Sequence, residues 1–137
     1  MKKIKPKQII GRKELVAFPE LGVADILAKI DTGAYSNTLY CHDIHVKDKK
    51  LFFKVLAPAH PVFSQKEHRF SEFSRKKIKN SFGEIEERYI IKTKIKIAGR
   101  LIKSIISLSD RGKMRYPVLI GRKLLRNKFL VDVSLKN

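Results

Sequence analysis

The chain has 137 residues, 43% of them hydrophobic, which suits one globular domain with its own core and argues against a disordered protein or a disulfide-stapled miniature. Cys41 is the single cysteine, so no internal disulfide forms and a reducing compartment is expected. A net charge of +18 predicts attraction to polyanions such as nucleic acid, anionic lipid or acidic peptide, although lysines spread along the whole chain also fit a merely solvated surface.

Residues 1–7 form a basic N-terminal arm with no apolar segment behind it, unlike a secretion signal. No apolar run approaches the length of a membrane span, so a cytoplasmic protein with no membrane partner is expected. Ile9-Ile10 and Leu15 to Phe18 read as short strand pieces around a turn or bulge, and Pro19 to Gly22 as a turn. From Val23 the pattern alternates, with Ile26, Ala28 and Ile30 on one face and Asp25, Leu27 and Lys29 on the other, a strand ending at Asp31.

Leu39 to Val46 is a second strand, Lys47 to Lys50 a polar turn and Leu51 to Ala57 its return, stopped by Pro58-Ala59-His60-Pro61. Phe63 to Asn80 is polar and basic, with no readable period. Ser81-Phe82-Gly83-Glu84 reads as a hairpin tip, Tyr89 to Ile97 as a strand, Ala98-Gly99-Arg100 as a tight turn and Leu101 to Leu108 as its partner. Tyr116 to Ile120 is short and apolar, as in a strand buried on both faces; Arg122 to Asn127 fits a short helix and Phe129 to Val133 a last strand. Many short strands at close spacing predict a mainly β barrel or sandwich, one domain over residues 1–137.

The chemistry centres on Asp31-Thr32-Gly33-Ala34, read with Leu119-Ile120-Gly121-Arg122. An isolated aspartate is a weak base at neutral pH. Two facing carboxylates cannot both ionise, so they hold one proton between them; one takes a proton from water while the other gives one to a scissile carbonyl. Small residues let two backbones approach, the Thr32 hydroxyl can lock two such loops together, and the apolar-apolar-Gly stretch can bed beneath them. With one such aspartate per chain, two chains must meet.

Asp31-Thr32-Gly33-Ala34 followed by Leu39, with Val118 to Leu125, resembles the two signatures of retropepsin-like aspartic proteases. The closer resemblance is to a bacterial retropepsin-like family often labelled "ATP-dependent zinc protease": Ile10 to Glu14 resembles its opening, Lys79 to Glu84 its flap, and Ser109-Asp110-Arg111, Met114 to Pro117 and Phe129 to Val133 its close. The resemblance implies a closed retropepsin-like β-barrel with a ψ-shaped loop, one short C-terminal helix, and a flap over a cleft on a two-fold axis. It implies a homodimeric peptidase with Asp31, Thr32 and Gly33 as the catalytic triplet and Ala34, Tyr35, Ser81, Phe82, Gly83 and Arg122 against substrate. Family members are linked to enzymes that ligate glutamates onto a ribosomal protein, which implies acidic or polyglutamylated tails as substrate and agrees with the positive charge. Retroviral proteases carry an Asp where this chain has Tyr35, an Asp that pairs with the Arg after the second Gly; Arg122 therefore lacks that partner.

No cofactor or metal is expected. The chain has neither a His-Glu-x-x-His helix nor a phosphate-binding Gly-Lys-Ser/Thr loop. Cys41-His42-Asp43-Ile44-His45 offers ligand types, and a regular strand would put Cys41, Asp43 and His45 on one face, but an edge strand explains them better than a metal site. Arg75-Lys76-Lys77 and Lys79, with Phe70, Phe73 and Phe82, could hold nucleic acid or an acidic peptide near the flap. Asp110-Arg111 fits a structural ion pair or turn. A non-catalytic basic module binding RNA, ribosome or an acidic protein is the alternative to the peptidase.

Overall fold

The computed structural model describes residues 6–56, 65–79, 82–110 and 115–135. Its strands are β1 (Gln8–Ile10), β2 (Lys13–Phe18), β3 (Val23–Ile30), β4 (Asn37–Lys47), β5 (Lys50–Val55), β6 (Glu67–Phe70), β7 (Ser74–Lys79), β8 (Ile85–Ile97), β9 (Arg100–Ser109), β10 (Val118–Ile120) and β11 (Phe129–Val131). A 3-10 turn at Pro19–Leu21 joins β2 to β3, and the short helix α1 spans Arg122–Leu125. Alternating burial drives the long strands: Ile26, Ala28 and Ile30 of β3, and Ile91, Ile95 and Ile97 of β8, face the core.

The order β10-β3-β2-β8-β9-β4 returns to β10 through the β10–β4 pairing, closing a barrel of six strands. Closure removes free edges from this ring. β10 is hydrogen-bonded to both β3 and β4, so both faces of its backbone ladder are used, and Val118 and Ile120 are fully buried. This is the ψ-shaped arrangement implied by the resemblance. The β8–β9 hairpin closes through Ala98 and Gly99 with φ 50 and 79, and β4–β5 through Asp48 and Lys49 with φ 52 and 63. Paired left-handed residues match the strand twist, as a two-residue hairpin requires.

Four features depart from the sequence reading. The pieces around Gly11 belong to different sheets: β2 joins the barrel, while β1 pairs in parallel with β11. The segment without a readable period holds β6 and β7. β7 is exposed at almost every position, so no apolar face marks it; it pairs only with the first half of β8. In β4, Asp43 at φ 53 sits in a register slip between His42 and His45. This bulge reverses the alternation, so Cys41 points into the core while Ile44 and Val46, not Asp43 and His45, continue the inward face. Cys41, Asp43 and His45 therefore do not share a face, correcting the regular-strand expectation. The last strand stops at Val131, two residues short of Val133.

β4 leaves the barrel to pair with β5, and β5 with β6, forming a small outlying sheet. His68 of β6 is buried there against Phe53, ring centroids 5.4 Å apart, and its Nε2 has no hydrogen-bond partner among the described residues. Burial, aided by the Lys66 charge, holds its pKa below the ordinary 6.5. The folded state thus keeps His68 neutral where the unfolded chain takes up a proton. Stability is full above about pH 6.5 and falls as pH drops from there towards the lowered folded value. His68→Phe should remove this contribution to the pH slope and, by relieving an unpaired buried nitrogen, leave the protein as stable or about 1 kcal/mol more stable. Thermal melts at pH 7.5 and 5.5 test this; an undiminished acid loss in the variant would assign the slope elsewhere.

Candidate active site

β3 delivers Asp31 to the mouth of the barrel. Its backbone N–H donates to Ile120 O at 2.8 Å, extending the β3–β10 ladder by one rung. The chain then turns back: Gly33 N–H donates to Asp31 Oδ1 at 3.0 Å, and Ala34 N–H to Asp31 O at 3.1 Å. The start of α1 grips this loop from behind, because Arg122 N–H donates to Ala34 O at 2.8 Å and Lys123 N–H to Tyr35 O at 2.9 Å. These are helix N-terminal donors that lack intrahelical partners.

Gly121 makes this contact feasible. A Cβ there would lie 2.5 Å from Ser36 O and 2.8 Å from Tyr35 C, so no side chain fits without moving the loop. Gly121 N–H also donates to Asn37 Oδ1 at 2.9 Å, while the Asn37 amide donates to Ser104 Oγ at 3.0 Å and Ile105 O at 3.2 Å. Asn37, 2% exposed, thus ties the Asp31 loop, α1 and β9 together. In the sequence, an Asn before an apolar strand looks like an ordinary turn residue; only the fold shows it buried.

The Asp31 carboxylate is half-buried and Thr32 exposed. Arg122 resolves its missing partner: Nη1 donates to Thr32 O at 3.1 Å, and the guanidinium lies 5.9 Å from the centroid of the Tyr35 ring. The aromatic face takes the place of the implied carboxylate, a cation–π contact. The structure therefore gathers Asp31, Thr32, Gly33, Ala34, Tyr35 and Arg122. Phe82 and Gly83 sit at the tip of the β7–β8 hairpin, with Phe82 79% exposed; Ser81 lies outside the described residues. Behind the site, burial raises the pKa of Tyr40, with the Arg88 charge opposing this and Glu86 and Asp31 adding to it.

Other candidates have local duties. The Cys41 thiol donates to Leu39 O at 3.6 Å, and burial pushes its pKa well up, keeping it a thiol. Asp43 pairs with Lys54 at 3.3 Å, and His45 Nδ1 lies 2.9 Å from Asp43 O. Arg75 pairs with Glu87 at 3.5 Å and lies 5.2 Å from the Tyr89 ring, while Phe70 and Phe73 pack on the core. Arg111 is outside the described residues.

The family model for RimB-like proteins, described as retropepsin-like aspartic endopeptidase RimB, matches residues 9–137. The chain belongs to the RimB-like family. Its RimB-like match begins just inside β1 and takes in the Asp31 loop, the hairpin and α1. A protein named "Probable alpha-L-glutamate ligase" from Shewanella halifaxensis is 35% identical over 132 residues, covering 93% of this chain and 29% of its own length. One of the same name from Desulfotalea psychrophila is 28% identical over 134 residues, covering 95% of this chain and 29% of its own. The RimB-like chain thus spans under a third of these curated relatives. The solved structure of Lpg0085, a protein of unknown function from Legionella pneumophila, shares the fold with a TM-score of 0.74 at 24% identity, over 95% of this chain and 96% of that one.

Proposed function

We propose that the chain is a homodimeric aspartic endopeptidase acting on acidic, glutamate-rich peptide tails. The observation that carries this reading is the Asp31 loop itself. It holds one carboxylate at the barrel mouth, braced by Ile120 and by α1, and neither residues 32–36 nor 119–126 supply a second. Activation of water by this chemistry takes two carboxylates, so the second is Asp31 of another copy.

A surface for that copy adjoins the loop. Tyr35 is 60% exposed and Leu130 53%; Ile9, in register with Leu130, is 64% exposed. A hollow of about 560 Å³ runs between Thr32, Tyr35, Arg122, Leu125, Phe129 and Leu130. Clustered apolar exposure of this kind marks an interaction surface. In the dimer one Asp31 accepts a proton from water as the oxygen attacks the scissile carbonyl, and the other donates its proton to the carbonyl oxygen. The resulting gem-diol collapses as a proton passes to the leaving amine. The β7–β8 hairpin, with Phe82 at its tip, would cover the bound peptide.

The substrate class rests on charge and on the company this domain keeps. A chain of +18 attracts acidic polypeptides, and the relatives that contain a similar stretch are named as glutamate ligases. Sedimentation across a concentration series, paired with hydrolysis of an oligoglutamate peptide, tests the reading. Leu130→Asp is expected to shift the dimer towards monomer and to lower hydrolysis in step, while a chelator leaves the rate unchanged. A wild-type chain that stays monomeric with substrate present, and binds the peptide without cutting it, would replace the peptidase with a basic binding module.

A further inference from the structure

We propose that the outer face of β8 and β9 is an exosite that docks an extended acidic polypeptide, gripping its carboxylates with Lys92, Lys94 and Lys103. The ligand class rests on the peptidase reading; the site is separate from the Asp31 cleft.

β8 turns Lys92, Lys94 and Lys96 to solvent on alternate positions, and its register places Lys103 of β9 directly opposite Lys94. Like charges facing each other across a ladder destabilise a sheet. No ion pair to any of these lysines occurs among the described residues. Two acids border the face. Glu20 accepts the Lys94 backbone N–H on Oε1 at 2.9 Å, and Glu72 stands at the rim. Against these two acids stand Arg69, Lys92, Lys94 and Lys103, so the strip is net cationic, as a surface for an anionic partner is.

The strip lies in a groove rather than on a flat wall. Hollows of about 610 and 390 Å³ adjoin at Lys92, Lys103 and Ile105, which line both. The first also takes in Arg69 and Lys94, and the second Lys123 and Lys128. Lys123 also borders the hollow beside Thr32 and Tyr35, so the second hollow adjoins the proposed dimer face.

Spacing favours a peptide. Alternate residues of a strand repeat every ~6.8 Å, and an extended acidic peptide presents carboxylates on one side at that same repeat. Single-stranded RNA binding draws on aromatic faces for its bases. The two phenylalanines at this groove, Phe70 and Phe73, are half-buried, and their rings are engaged by the core and by Phe53 and Tyr89.

The test uses the full chain carrying Asp31→Asn, so that peptide is held and not cut, and a fluorescein-labelled oligoglutamate of about ten residues, long enough to span about 30 Å. Lys92→Gln, Lys94→Gln and Lys103→Gln together should weaken binding roughly ten-fold or more, whereas equal charge removal at Lys47, Lys49 and Lys50 should change it less than about two-fold. With Asp31 intact, the groove variant should raise KM for a long acidic substrate and leave kcat, and cleavage of a short neutral peptide, unchanged. Lys103→Gln alone should raise the melting temperature while weakening docking, because it relieves the facing charges. Equal losses from both triple variants would reduce the effect to overall charge and overturn the exosite. So would a groove variant that binds oligoglutamate normally but loses an oligouridylate RNA, and so would a Lys103→Gln chain that melts lower. If the groove lysines govern peptide binding but the wild type cuts no peptide, the exosite stands and the peptidase reading falls.

Discussion

Replacing Asp31 with Asn is expected to lower peptide hydrolysis by at least about a thousand-fold while leaving the fold intact. The substitution removes the carboxylate that the proposed mechanism needs to accept a proton, but Asn retains an Oδ1 to receive the Gly33 N–H that now reaches Asp31 at 3.0 Å. The backbone rung to Ile120 and the α1 contacts involve no Asp31 side-chain atom, so denaturation curves should overlay. The sharper test mixes variant and wild type in equal amounts and allows chains to exchange. If each site needs one aspartate from each copy, random pairing leaves about a quarter of the dimers active; a self-sufficient chain would leave about half. Activity near a half would overturn the shared site without questioning Asp31 itself.

Gly121→Ala should damage both stability and catalysis. The added methyl would meet Ser36 O at 2.5 Å and Ala34 O at 2.9 Å, and the first turn of α1 holds Ala34 O and Tyr35 O in place. Overpacking of this kind costs about 1–3 kcal/mol, and the relief available is to push the Asp31 loop outward. Displacing a catalytic group by about 1 Å can cost a hundred-fold in rate. Urea titration and kcat measured on the same preparations check both effects. Gly99→Ala is the control: a Cβ there meets nothing within 4 Å, but φ 79 makes it strained, so stability should fall by about 1 kcal/mol with kcat unchanged. Equal kcat losses in the two variants would mean that the loop contact at Gly121 has no special role.

The parts of this fold legible in the sequence are those where one face is dry and the other wet. β3 and the second half of β8 bury one side against the barrel interior, so Ile26-Ala28-Ile30 and Ile91-Thr93-Ile95-Ile97 announce both strand and facing. β10 reads as a strand buried on both faces, since no polar residue interrupts Val118-Leu119-Ile120; the fold buries Val118 and Ile120 fully and Leu119 on the other face only in part. β7 escaped because Ser74 to Lys79 buries almost nothing and is held by backbone pairing to β8. β1 was readable as a strand but its partner was not, as Phe129 to Val131 lies at the far end of the chain.

At the site, Asp31 and Gly121 stand out through motif and spacing. Asn37 and the Arg122–Tyr35 contact do not, because each depends on which residues the barrel brings together and not on neighbours in the chain.

The bulge at Asp43 has a bearing on how this lineage can vary. β4 crosses from the barrel into the small outlying sheet, and the extra residue is what lets one strand serve both. Individual side chains along it can drift. What must persist is the phase: with the extra residue present, flattening the bulge would turn Ile44 and Val46 outward, whereas loss of the codon at position 43 would leave a regular strand that still carries both inward. Related sequences should therefore keep the extra residue and its bulge together or lose both together, even where identity has decayed.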